Sequence, residues 1–153
     1  MALKTQRPIP ILSIEDNGAD RALVRTAFTT LDANVTVQCV STGDEALKYL
    51  NKLPPFETAE RPKLILLDLN LPGKHGKEVL FDIKNDPELV DIPVIVLTCS
   101  NALQDVTECY QLKANCYLVK PMNFEEFLEL VSSINQFWVK RVTFSARSKE
   151  YLS

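Results

Sequence analysis

The sequence predicts an α/β chain in which five strands alternate with five helices, forming a parallel sheet covered on both faces. Three observations support this. Apolar runs rich in Ile, Leu and Val recur along the chain and read as strands buried on both sides. Segments with helical spacing of apolar residues separate them. Residues able to do chemistry gather just past the carboxyl ends of the runs, where open parallel sheets place their reactive groups.

In chain order, the first strand is expected over Pro8 to Ile14, followed by a helix from Asp20 to Leu31. That helix sets Val24, Ala27, Phe28 and Leu31 on one buried stripe. A strand over Val35 to Val40 and a helix over Gly43 to Leu53 come next. Asn51 to Arg61 is longer and more polar than most helix-to-strand connections and reads as an exposed loop. The most apolar run, Leu64-Ile65-Leu66-Leu67, marks a strand from Lys63 to Leu67, followed by a helix from Gly76 to Asn85. Asp86-Pro87 and Ile92-Pro93 punctuate that helix and the next strand, Ile92 to Leu97. A helix over Asn101 to Leu112, a strand over Asn115 to Val119 and a helix over Asn123 to Trp138 complete the pattern. Right-handed crossovers favour a doubly wound sheet, for which the flavodoxin-like order 2-1-3-4-5 is expected. In that order the first and third strands are neighbours.

Composition narrows the function classes. The 153 residues suit one domain with a full hydrophobic core, with 46% hydrophobic and 24% charged residues. A net charge of −3 offers no electrostatic reason to bind nucleic acid or an anionic membrane. No apolar stretch has the length of a spanning helix, and Met1-Ala2-Leu3-Lys4-Thr5 lacks a signal-peptide core, so a cytoplasmic location is expected. Cys39, Cys99, Cys109 and Cys116 have no metal or redox spacing and are expected to be free, buried thiols. The single histidine, His75, falls in a turn, which weakens any Ser/His or Cys/His hydrolase reading.

The polar residues at the strand ends carry the chemistry. Asp68 follows the third strand and Glu15-Asp16 follows the first, so three carboxylates are expected to share one crevice. Two unit charges about 4 Å apart repel by about 4 kcal/mol at an effective dielectric of about 20. Such a cluster must raise a pKa, pair with a cation or bind a metal. Hard oxygen donors of this kind suit Mg²⁺. Taken singly, each feature has a plainer explanation: Glu15-Asp16-Asn17 as a helix cap, Asp68 as a turn residue, Thr98 as an N-cap, Lys120 as a solvated charge. Together they put carboxylates, a hydroxyl and an ammonium on one sheet edge, a set that can hold a divalent cation and a phosphoryl group on an aspartate.

With these residues in place the chain resembles the receiver domains of two-component response regulators over about Pro8 to Trp138. The matching elements are Glu15-Asp16, Asp68 through Gly76, Thr98, and Tyr117-Leu118-Val119-Lys120-Pro121. The resemblance implies a receiver domain over 8–138, an extension over 1–7 and a tail over 139–153. It also implies that Asp68 accepts a phosphoryl group from a sensor histidine kinase. Asp16, Asp68 and the backbone carbonyl of Asn70 would ligate Mg²⁺, with Glu15 acting through water. Lys120 and Thr98 would hold the phosphoryl oxygens, and Tyr117 would be the aromatic switch that follows Thr98. Lys120-Pro121 would be a cis peptide bond. Such transfer needs placement and charge compensation more than covalent machinery.

The chain departs from the usual pattern at Glu15, commonly Asp, and at Cys99, commonly a smaller residue. Glu15-Asp16-Asn17-Gly18-Ala19-Asp20, the long loop and Phe137-Trp138 are similar to a narrower group, the stand-alone regulators paired with cyanobacterial phytochromes. A phytochrome-type kinase is the implied partner. The rival reading is a Mg²⁺-dependent aspartyl-phosphate phosphatase of the haloacid-dehalogenase type. That family needs an aspartate two residues after the nucleophile, where this chain has Asn70, and usually places the nucleophile on the first strand. A cofactor-binding flavodoxin would need a phosphate loop after the first strand, and none follows it.

With no attached output domain expected, the signal would pass through the receiver surface. Phe124, Phe127, Leu128, Val131, Ile134 and Trp138 are expected to form the core stripe of the last helix, with Leu130 and Phe137 widening the apolar arc. Either the tail folds back over that flank or a homodimer forms through the last strand, last helix and tail; the dimer is the preferred expectation.

Overall fold

The computed structural model describes residues 8–32 and 34–145. The extension over 1–7 and the end of the tail, 146–153, lie outside the described residues. Five parallel strands, β1 (Ile9–Ile14), β2 (Val35–Val40), β3 (Leu64–Leu67), β4 (Val94–Thr98) and β5 (Cys116–Val119), lie in the order β2-β1-β3-β4-β5. Helices α1 (Gly18–Leu31), α2 (Gly43–Leu50), α3 (Gly76–Lys84), α4 (Leu103–Gln111) and α5 (Phe124–Ile134) follow the strands in turn. Fold class and strand order are those expected from the sequence.

Strand alternation divides the core into two layers. Leu12, Ile14, Ile65 and Leu67 pack with Leu50, Val79, Leu80, Ile83 and Cys109 of α2, α3 and α4. Ile11, Leu64, Leu66 and Ile95 pack with Val24, Ala27 and Phe28 of α1 and with Phe127, Val131 and Ile134 of α5. The register pairs Ile14 with Leu67 and Leu67 with Val96. Glu15, Asp68 and Thr98 therefore emerge side by side at one edge.

Several boundaries differ from expectation for physical reasons. β4 starts at Val94 rather than Ile92, because Pro93 has no N–H to donate to a ladder. Its end includes Thr98, which sequence alone placed after the strand. The last helix stops being α-helical at Ile134 and continues as a π-helical turn, Asn135–Val139. Asn135 is buried in that turn with Oδ1 lacking a hydrogen bond. Leu31, expected on the buried stripe of α1, is largely exposed. Phe124, also expected in the core, is 59% exposed: it is the first residue of α5, and the buried stripe of that helix begins at Phe127.

The cysteines are free, but only Cys109 is buried; Cys39 and Cys116 are half-buried and Cys99 is exposed, which corrects the expectation of four buried thiols. Lys120–Pro121 is not a cis bond; among the described residues the cis bond is Pro54–Pro55. The long loop is largely exposed, as expected, and is pinned by Phe56, whose ring packs 5.4 Å from that of Tyr49. The described part of the tail does not cover Phe137, which is 57% exposed. It runs instead toward the amino end of the sheet, where Ser145 Oγ bonds Asp91 Oδ2 at 2.8 Å.

Candidate functional site

Asp68 leaves β3 at its carboxyl end, 7% exposed, with its backbone N–H donating to Ile14 O at 3.0 Å. The chain must then turn sharply into α3, and Gly76 makes that turn possible. Its N–H donates to Leu69 O at 3.0 Å, and a Cβ there would stand 2.5 Å from the Asp68 carbonyl oxygen. Only glycine lets α3 start this close to the backbone carrying the aspartate.

Both carboxylate oxygens of Asp68 are held. Oδ1 accepts from Thr98 Oγ1 at 2.9 Å and from the Asn70 N–H at 3.1 Å. Oδ2 accepts from Lys120 Nζ at 2.9 Å. Thr98 is fully buried at the end of β4 and caps no helix; the N-cap of α4 is Ala102, which supplies no side-chain bond. Lys120 follows β5, is 7% exposed, and its N–H is fixed to Thr98 O at 2.7 Å. The plain readings of Asp68, Thr98 and Lys120 as turn, cap and solvated charge do not describe them.

Three carboxylates do converge here, but the third is not the one expected. Lys120 Nζ also bonds Glu15 Oε1, and it bonds Asp20 Oδ2 at 2.8 Å. Glu15 is 4% exposed, its Oε2 accepting from the Asn17 N–H at 3.0 Å, whereas Asp16 stays exposed at the rim. Glu15 and Asp20, rather than Glu15 and Asp16, thus join Asp68 around the ammonium. Asp20 went unrecognised in the sequence because it lies a helical turn past the acidic pair. The signal was present: Asn17 caps α1, its Oδ1 accepting from the Asp20 N–H at 3.0 Å, and a carboxylate in the first turn of that helix faces the same edge.

The shared cation sets the charge states. Burial pushes the Asp68 carboxyl up, but the bonds from Lys120 and the Asn70 N–H outweigh it and hold Asp68 below the usual aspartate value. Burial of Glu15 wins over its bonds to Lys120 and Asn17, so its carboxyl lies above the usual value. Burial alone would lower Lys120; its bonds to Asp20, Glu15 and Asp68 raise it above an ordinary lysine. The ammonium is therefore charged throughout the neutral range.

Tyr117 is half-buried on β5, with its hydroxyl donating to Ser100 O at 2.9 Å. Ser100 is two residues past Thr98, and its hydroxyl bonds Asp105 of α4, which Lys77 of α3 also grips at 2.6 Å. The loop that carries Thr98 onward is thus tied both to the tyrosine and to the start of α4.

The comparisons agree with this geometry. The family model for the response regulator receiver domain matches residues 11–132. The chain belongs to the response regulator receiver domain family. It is 40% identical over 146 residues to response regulator Rcp1 of Synechocystis sp., spanning 95% of this chain and 99% of that protein. It is 37% identical over 137 residues to the probable methanogenesis regulatory protein FilR2 of Methanothrix harundinacea, spanning 90% of this chain and 88% of that protein. Among solved structures, the phosphorylated cyanobacterial phytochrome response regulator RcpA matches with a TM-score of 0.87 at 40% identity, covering 91% of this chain and 99% of that one. The Mn(2+)-bound form of Rcp1 matches with a TM-score of 0.84 at 42% identity, covering 91% and 100%.

For this receiver, the donor chemistry at the strand ends fits a divalent cation: Glu15, Asp16 and Asp68 offer hard carboxylate oxygens on adjacent strands. Among the described residues no group of three or more His, Cys, Asp or Glu side chains is arranged to hold a metal; Glu15 and Asp68 are instead paired with Lys120. Asn70 donates its N–H to Asp68 Oδ1. No described helix is long and apolar enough to cross a membrane.

Proposed function

We propose that Asp68 is the phosphoacceptor and that the chain takes a phosphoryl group from the phosphohistidine of a sensor kinase, signalling through its own surface. The observation that carries this is the clamp on Asp68, with Thr98 Oγ1 on one carboxylate oxygen and Lys120 Nζ on the other, each at 2.9 Å. As the phosphorus–nitrogen bond of the donor breaks and the imidazole leaves with its electron pair, an Asp68 oxygen forms the new bond to phosphorus. Lys120 then moves its hydrogen bond to a phosphoryl oxygen, Thr98 donates to another, and Tyr117 follows the loop beyond Thr98. Asp16 and Asp68 would hold Mg²⁺ directly with the Asn70 carbonyl, and Glu15 through water. A divalent cation there supplies positive charge against the transferring group.

The similarity to Rcp1 and RcpA supports a phytochrome-type kinase as the donor, with the chain acting in the cytoplasm as a signalling protein rather than as a turnover enzyme. The rival phosphatase reading is disfavoured by Asn70 two residues after Asp68 and by an acceptor on β3. Acetyl phosphate with Mg²⁺, followed by intact mass, separates the two. A single phosphoryl adduct that is lost in Asp68→Asn is the expected result. Steady release of phosphate without an adduct would mean a phosphatase.

The exposed Phe137 on the π-helical turn after α5 supports a homodimer through β5, α5 and the tail. Phe137 is 57% exposed and lies edge-on to Trp138 with ring centroids 5.5 Å apart. Phe137→Asp is expected to shift the sedimentation profile from dimer to monomer. Equal monomer profiles for parent and variant would remove the dimer.

A further inference from the structure

We infer that Asp20 is a positioning residue of this site: it keeps hold of the Lys120 ammonium when Glu15 and Asp68 turn toward a divalent cation. This deepens the reading above and rests on the roles proposed there for Asp68 and Lys120.

The ammonium has three N–H donors, and each is matched to a different carboxylate: Glu15, Asp20 at 2.8 Å and Asp68 at 2.9 Å. Two of these acceptors are oxygens that a cation would draw away. The lysine side chain is only 5% exposed, and a buried ammonium left without partners is strongly unfavourable. Asp20 removes that difficulty because it is held independently of the centre. Its backbone belongs to the first turn of α1 and is capped by Asn17 at 3.0 Å. Its side chain is 30% exposed, against 6% for Glu15 and 8% for Asp68, so it keeps part of its hydration while bonding the lysine. Asp20 and Lys120 also line one cavity of about 200 Å³ with Cys99 and Met122, to which Glu15 and Asp68 do not contribute. Removing the Asp20 charge acts twice in the same direction. Lys120 falls back on Glu15 and Asp68, and the site as a whole becomes less negative; both oppose a second cation.

The test titrates Mn²⁺ as the probe against the full chain, following the free-ion signal by electron paramagnetic resonance. Asp20→Asn is expected to weaken Mn²⁺ binding about fivefold or more, a typical coupling between sites. Asp20→Glu, which restores the carboxylate, is expected to recover most of that loss. In a Lys120→Met background the Asn substitution is expected to matter much less, since Asp20 acts through the lysine. An unchanged affinity in Asp20→Asn overturns the inference. So does an equal loss with and without Lys120, which makes Asp20 a fixed charge only. If Lys120→Met does not fold, the ε-methylene NMR signals of Lys120 carry the comparison. Mg²⁺ should move them differently in Asp20→Asn than in the parent, and identical shifts overturn the inference. An adduct from acetyl phosphate that persists in Asp68→Asn brings down the underlying reading, whereas an unchanged Mn²⁺ affinity brings down only the role of Asp20.

Discussion

Lys120→Met, measured without divalent cations, is expected to lose about 3–5 kcal/mol of stability near neutral pH, the cost of breaking a buried ion pair on one side. Methionine fills much of the lysine stem's space, so the loss comes from charge rather than from a cavity. It leaves Asp68 and Glu15, 7% and 4% exposed, without their shared cation. For a domain with about 5–15 kcal/mol in total, that is a large fraction.

The pH dependence follows from the shifts and gives the prediction its sharper form. Lys120 is raised above 10.5 in the folded chain, so its contribution is complete below that value and is lost as pH climbs through the folded pKa. Asp68 is lowered from 3.8, so its contribution is present above 3.8 and lost as pH falls through the folded value. Glu15 is raised from 4.5 and so costs stability once pH exceeds 4.5, a cost that protonation relieves on acidifying. In Lys120→Met both carboxylates keep their burial and lose their main compensating bond, so both move up. The deficit relative to the parent should therefore narrow between about pH 7.5 and about pH 5, as the carboxyls take up protons. Urea denaturation at the two pH values measures it, and a deficit that stays constant would show that the cluster is not governed by the shared charge.

Gly76→Ala should also be strongly destabilising, and its sign is diagnostic. By helix propensity alone, alanine is favoured over glycine by up to about 1 kcal/mol. Here the added methyl would meet the Asp68 carbonyl oxygen and Leu69 Cα, each at 2.5 Å, and both are backbone atoms with no rotamer in which to retreat. Overpacking of this kind costs about 1–3 kcal/mol, and the upper end is expected because α3 itself must shift. Gly18→Ala is the matched comparison at the first position of α1, where the nearest atom is the Arg21 guanidinium at 3.6 Å. That variant should be neutral or slightly stabilised. If both substitutions had the same effect on the urea midpoint, the close approach of α3 to the Asp68 backbone would be refuted. Phosphoryl uptake by Gly76→Ala should fall as well, since the displaced backbone carries Asp68.

Much of this molecule could be read along the chain because its signals are local. Strand runs such as Leu64–Leu67 and the helical stripe Val24, Ala27 and Phe28 are local signals, and right-handed crossovers favour a doubly wound sheet, of which β2-β1-β3-β4-β5 is one common order. Asp68, Thr98 and Lys120 were legible as a set because each ends an apolar run, which puts them on one edge whatever the details. Phe124 is exposed although it shares the stripe's spacing, because helical spacing says which face a residue occupies, not where along the helix packing begins. Cys99 was misjudged because an apolar neighbourhood in sequence does not establish burial in a loop.

The sequence by itself therefore determined the α/β fold, the edge that carries the chemistry and most of the residues that gather there. Only the tertiary structure decided which oxygens meet which proton donors. It brought Asp20, rather than Asp16, into the cluster with Glu15 and Asp68, and gave Asp68 one hydroxyl and one lysine. It also left Phe137 uncovered on the turn after α5. The physical reason is reach: periodicity fixes the direction of a side chain to within a face, whereas a hydrogen bond is decided over a few tenths of an ångström by elements far apart in the chain.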